Sequence, residues 1–215
     1  MSITLLIIIV TCAISYFAGL TPQDRMARQG LFDKLKHYPV IEKSNKEFYR
    51  FLSSGFLHSS WTHLIFNMYV LWTFGEQVEN LFLLTFGSMG RIVFILFYLS
   101  AIVVADIPSY LKHQNNPGFA SIGASGAVSA ILFAYIMFRP MDGLMIIFFP
   151  FFAFPAIVLG IGYLIYSSWA NKNSRDNTDH SAHFAGAIYG LVFIMALHPG
   201  VIKTFVQSIQ SALPF

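Results

Sequence analysis

At 215 residues, 56% hydrophobic and 11% charged, with a mean hydropathy of +0.63, the chain has too few charges to clothe a water-soluble globule, which takes about a quarter of its residues from Asp, Glu, Lys and Arg. A net charge of +3, mixed in sign along the chain, does not suit a nucleic-acid surface, so no nucleic acid is expected as a partner. Cys12 is the single cysteine, which excludes an internal disulfide framework.

A helix that crosses the hydrocarbon needs roughly 17–25 largely apolar residues, and the intervals between charges supply six candidates. The first is 3–20. No basic leader precedes it and no small-residue cleavage site follows, so it reads as a retained span rather than a signal peptide. The first loop then gathers seven of the thirteen basic residues (Arg25, Arg28, Lys34, Lys36, Lys43, Lys46 and Arg50). They alternate with Asp24, Asp33, Glu42 and Glu47, a mixture that suits a segment folded at the membrane interface or a solvated connection. The second span is 53–77. The third, 90–109, requires Arg91 to snorkel to one interface and Asp106 to sit near the other. The fourth is 122–139, the fifth falls within the charge-free interval 143–171, and the sixth is 181–198. With no repeat or linker, the expected fold is all-α: one domain over 1–215, a polytopic six-helix bundle whose partner is the lipid bilayer.

Polar side chains inside membrane spans are costly, so each is a functional candidate. The second span opens on His58-Ser59-Ser60-Trp61-Thr62-His63 and then Asn67, the fourth on Gly123-Ala124-Ser125-Gly126, and the sixth on His180-Ser181-Ala182-His183 with Gly186 and Gly190. These spans start from one side of the bilayer. Taking their far ends at Gly75, Phe138 and His198 leaves roughly 18–22 Å of helix beyond His63, Ser125 and His183, less than the roughly 30 Å core. The three residues are therefore expected at one depth, roughly 10 Å beneath one face.

A serine hydroxyl becomes a useful nucleophile when a nearby imidazole takes its proton, so Ser125 and His183 are the candidate pair. Gly186 and Gly190, facing Gly126, would let the two helices touch. His63 and Asn67, at i and i+4, share a helix face and could donate to an oxyanion, as could the backbone N–H of Ser125 in the first turn of its helix. His58, Ser59, Ser60 and Thr62 could line a wet pocket.

Each feature also has a plainer reading: small residues crowd helix interfaces for packing, Asn67 could join two helices, and span-end histidines sit among headgroups. A metal site built from His58, His63, His180 and His183 is a second alternative, although no carboxylate or cysteine accompanies them, and no metal or other cofactor is expected. A non-catalytic binder of membrane segments is a third, and its usual mark would be loss of the serine or histidine. The coincidence of serine, two histidines and asparagine on three helices favours hydrolysis.

In order and over nearly the whole chain, His58-x4-His63-x3-Asn67, Gly123-Ala124-Ser125-Gly126 and Ala182-His183-Phe184-Ala185-Gly186 with Gly190 resemble the rhomboid family of intramembrane serine proteases, in its six-span bacterial type. The stretch Phe148 to Ala156 is similar to the loop before the family's fifth span, which sets that span at 156–171. The resemblance implies a Ser125–His183 dyad without an acidic third member, His63 and Asn67 assisting the oxyanion, and transmembrane proteins as substrates, cut near the outer face at small residues. It further implies a bacterial inner-membrane location and a gate formed by the fifth helix and the segment 167–181. Tyr49-Arg50, Gly75 and Glu79 match structural positions of the family. Where many members place an aromatic on the histidine, four residues after the nucleophile, this chain has Ser129. Positive-inside counting gives ten Lys or Arg on the first-loop side (the seven above with Lys112, Lys172 and Arg175) against Arg91, Arg139 and Lys203 opposite. That count would place the first loop inside. The resemblance implies the reverse, and a first loop folded into the interface need not act as a simple charge signal.

Overall fold

The computed structural model describes residues 1–27, 30–146, 149–174 and 178–212. Arg28, Phe148 and Arg175, used above, lie outside the described residues. Among the described residues the regular structure is helical apart from one hairpin and an isolated bridge between His37 and Ser121. Helix α1 (Ile3–Gly19) leads into four short helices, α2 (Pro22–Ala27), α3 (Leu31–Leu35), α4 (Pro39–Asn45) and α5 (Arg50–Ser53). Then follow α6 (Trp61–Phe86), α7 (Gly90–His113), α8 (Ser125–Phe138), strands β1 (Gly143–Ile146) and β2 (Phe149–Pro155), α9 (Ala156–Asn173), α10 (His180–Leu197) and α11 (Gly200–Ala212).

α8 is the axis of the bundle. Eleven of its fourteen residues are buried, and α6, α7 and α10 pack around it, with α1 outside α6 and α9 against α10. The outer faces are apolar: Leu5, Ile9 and Phe17 on α1, Ile65, Phe66 and Trp72 on α6, and Ile161, Ile165 and Trp169 on α9 are all exposed. So many large apolar side chains on the outside suit lipid, not water. The apolar stretches Trp61–His113 and His180–Leu197 are long enough to cross a membrane. The first holds two helices, broken by a tight turn where Gly87 takes φ 57° and Gly90 packs on the Leu83 backbone.

Several expected boundaries are corrected. α6 begins at Trp61 and runs to Phe86, not over 53–77, so the depth argument from Gly75 does not hold. Glu76 and Glu79 do not end the helix because they serve the start of α1. Glu79, 3% exposed, accepts from the N–H groups of Ile3 and Thr4 at 2.9 Å each, a carboxylate on the free donors of a helix N-terminus. Arg91 lies 3.9 Å from Glu79. At its other end α7 reaches His113 rather than 109, and Asp106 accepts from the Ser54 hydroxyl at 3.1 Å. Ahead of α9 the apolar run pairs as an antiparallel hairpin, Leu144 opposite Phe154.

The first loop is folded, not a loose connection. Arg50 donates to the carbonyls of Asp33 and Lys36 and to Glu47. The His37 and Ser121 backbones bond each other in both directions, which fastens the loop to the segment ahead of α8.

Candidate active site

The turn into α8 is built for close approach. Gly123 has φ 122°, a conformation that favours glycine, and its N–H is held by the Ser54 carbonyl at 3.0 Å. A Cβ there would meet the His63 ring at 2.8 Å. Glycine therefore lets His63 lie beside the segment that carries Ser125. Ala124, the N-cap, offers no side-chain acceptor, so the first N–H groups of α8 have no side-chain cap and present the positive end of the helix to the site.

His183 lies in the first turn of α10. Asp179 caps that helix, accepting from the Ala182 N–H at 3.0 Å, the Ser181 hydroxyl at 2.6 Å and, across from α7, the Ser109 hydroxyl at 2.6 Å. Further along, a Cβ on Gly186 or Gly190 would overlap the backbone carbonyl of Gly126 or Ala130, and one on Gly126 would come 2.5 Å from the Ala105 Cβ. The glycines thus set the distance between α8 and α10, and at that distance His183 Nε2 is 2.7 Å from Ser125 Oγ. Among donors and acceptors this is a full hydrogen bond.

Both residues open onto a cavity of about 830 Å³ that His63, Asn67, Ser59 and Asp179 also line. Asn67, 4% exposed, donates one amide proton to the His63 carbonyl at 3.0 Å. An amide carries two such protons, and the second is not used by that bond. His58 is not part of the wall. It is fully buried behind His63, rings edge to face at 4.8 Å, with Nδ1 3.1 Å from Ser15 Oγ. The Ser15 proton goes to the Phe56 carbonyl, so His58 Nδ1 is the donor of that pair. Ser59 lines the cavity, Ser60 caps α6 by accepting from the His63 N–H, and Thr62 is exposed. Among the described residues no three His, Cys, Asp or Glu side chains gather as a metal-ligand set.

Two contributors escaped the sequence reading. Asp179 could have been found, because an aspartate just before an apolar helix is a capping signal. Tyr163 could not. It lies on α9, one aromatic among several, and its ring stacks on His183 at 6.3 Å between centroids.

The mitochondrial presenilin-associated rhomboid-like protein of Mus musculus is 34% identical over 148 residues, 68% of this chain and 37% of that protein. Rhomboid protease GlpG of Haemophilus influenzae is 27% identical over 159 residues, 74% of each chain. The chloroplastic rhomboid-like protein 11 of Arabidopsis thaliana is 29% identical over 160 residues, 69% of this chain and 52% of that protein. The match thus spans little more than a third of the mitochondrial relative's length. The family model for the rhomboid domain matches residues 45–200, which take in every cavity residue named above from Ser59 to His183, and the chain belongs to the rhomboid family.

Proposed function

We propose that this chain is an intramembrane serine endopeptidase that hydrolyses peptide bonds in or near transmembrane segments of other membrane proteins, the region 1–215 acting as one membrane domain. The observation that carries the reading is the 2.7 Å contact of Ser125 Oγ with His183 Nε2, at a cavity inside a bundle with an apolar outer face.

Ser125 Oγ attacks the scissile carbonyl carbon while His183 takes its proton. The carbonyl oxygen becomes an oxyanion, and His63, Asn67 and the Ser125 N–H are its donors. Collapse expels the amine, protonated by His183, and leaves an acyl-serine. Water, deprotonated by His183, then releases the acid and restores the hydroxyl. Gly123, Gly126, Gly186 and Gly190 support the pair by allowing the approach of the helices, and His58 supports His63 from behind. A bacterial cell membrane fits the bacterial relative, matched over 74% of its own length.

The test is cleavage of a transmembrane reporter in liposomes, with fluorophosphonate labelling in parallel. Ser125→Ala is expected to abolish both, and His183→Ala to reduce both by about 10³-fold or more. Undiminished cleavage by either variant would overturn the mechanism, and a folded wild-type protein that neither cleaves nor labels would favour a binding role.

A further inference from the structure

A closed circuit of contacts ties the reactive pair to α9. Ser129, one turn after Ser125, donates its hydroxyl proton to the Ser125 carbonyl at 2.8 Å, and its oxygen lies 2.5 Å from the Tyr163 phenol. A serine hydroxyl has one proton, and with that proton on the carbonyl, Tyr163 is the donor to Ser129. The Tyr163 ring lies over the His183 imidazole, 6.3 Å between centroids with 27° between planes, and Phe133 of α8 flanks it at 5.9 Å. His183 closes the circuit on Ser125. One turn further along α9, Tyr166 meets His180 edge-on at 5.6 Å, so α9 grips the first turn of α10 at two levels.

An imidazole turns about two side-chain torsions, so its orientation depends on what packs against its plane as well as on its hydrogen bonds. A ring fixed over its face restrains the remaining freedom. α9 is otherwise lightly held: it buries only Ala156, Gly160, Ser167 and Ala170.

We propose that Tyr163 is a positioning residue for His183. Anchored through its hydroxyl on Ser129, it holds the imidazole plane so that Nε2 faces Ser125 Oγ, and the seating of α9 therefore sets the reactivity of the serine. The proposal rests on the Ser125–His183 dyad. Ser129 and Tyr163 act as one unit, one helix supplying the anchor and the other the ring.

The test compares Tyr163→Ala, Tyr163→Phe, Ser129→Ala and the exchange Ser129→Tyr with Tyr163→Ala. Each full-length variant is scored for thermal unfolding, for the rate of fluorophosphonate labelling at Ser125, and for kcat and KM on a transmembrane reporter. Labelling needs no transmembrane substrate, so it reports on the dyad apart from substrate entry. Tyr163→Ala is expected to slow labelling and kcat about 10- to 100-fold with KM little changed, since small misplacements of reacting groups cost on that order. Tyr163→Phe keeps the ring without its anchor and is expected between wild type and Tyr163→Ala. The exchange is expected to recover part of the labelling by refilling the same gap from α8, which a loss of stability alone would not do. Wild-type labelling by folded Tyr163→Ala, or a defect confined to KM, would overturn the proposal. If Tyr163→Ala does not fold, wild-type labelling by both Tyr163→Phe and Ser129→Ala would overturn it. Retained activity in Ser125→Ala or His183→Ala would instead remove the dyad itself.

Discussion

Thr4 gives one oxygen of Glu79 both its backbone N–H and its hydroxyl, each at 2.9 Å. With the Ile3 N–H on the other oxygen, a carboxylate in mid-α6 caps a helix 75 residues earlier in the chain. Glu79→Ala leaves three donors without a partner, Thr4 being fully buried, and is expected to destabilise by about 2–4 kcal/mol. Glu79→Gln keeps acceptor capacity and should lose roughly half as much. Thermal unfolding in detergent measures both, and a Glu79→Ala protein as stable as wild type would show that α1 is held by other contacts.

The Gly186–Gly126 contact allows an equally direct trial. Gly186→Ala places a methyl on the Gly126 carbonyl, so α10 must move away and carry His183 with it. A shift near 1 Å is expected to cost about 10²-fold in kcat, with a lowered unfolding temperature. Gly162→Ala on α9, with no atom within 4 Å of the new Cβ, is the control and should be neutral. Similar losses in both variants would mean that helix spacing is not the cause.

These two contacts also show what could be read from the sequence. The glycines three and seven residues after His183 announced a close helix pair, because small residues in a membrane span do little else than permit approach. Charges were a poorer guide. Glu76 and Glu79 looked like the end of a span, yet a carboxylate aimed at another helix's N-terminus can sit inside one, and α6 runs on to Phe86. The aromatic run ahead of α9 carries no periodicity that separates a strand from a loop, so the hairpin was not foreseen. Nor was α11, which follows the Pro199-Gly200 break. Ser129 was legible only as a missing aromatic. That the ring on His183 comes from α9 depends on which faces of two helices meet, and no local pattern records it.

His37 couples the first loop to pH. It is fully buried, its Nδ1 2.7 Å from Glu42. Burial opposes its charge, but the Glu42 hydrogen bond and the carboxylates of Asp106, Glu42 and Asp179 outweigh burial and hold its pKa above the ordinary 6.5. A raised folded value means that the stabilisation is complete below pH 6.5 and is lost as the pH climbs through the folded value. Unfolding temperatures measured from pH 6 to pH 9 are expected to fall, and His37→Gln should flatten that fall. An identical slope in the variant would assign the effect to another group.

The oxyanion donors are separable from binding residues by kinetics. His63, Asn67 and Ser125 all line the cavity, and in the proposed mechanism the first turn of α8, which has no side-chain cap, offers the Ser125 N–H. Donors that act on charge appearing only in the transition state alter kcat and leave KM nearly unchanged. Asn67→Ala and His63→Phe are each expected to lower kcat about 10²- to 10³-fold. If all three donors serve one oxygen, as the mechanism has it, the double variant should lose much less than the product of the two single losses. Asn67→Asp keeps the shape of the side chain but replaces a donor with negative charge beside a developing anion, and so should be worse than Asn67→Ala. If instead these variants raise KM while kcat holds, His63 and Asn67 grip the substrate in its ground state, and the oxyanion is left to the helix N-terminus.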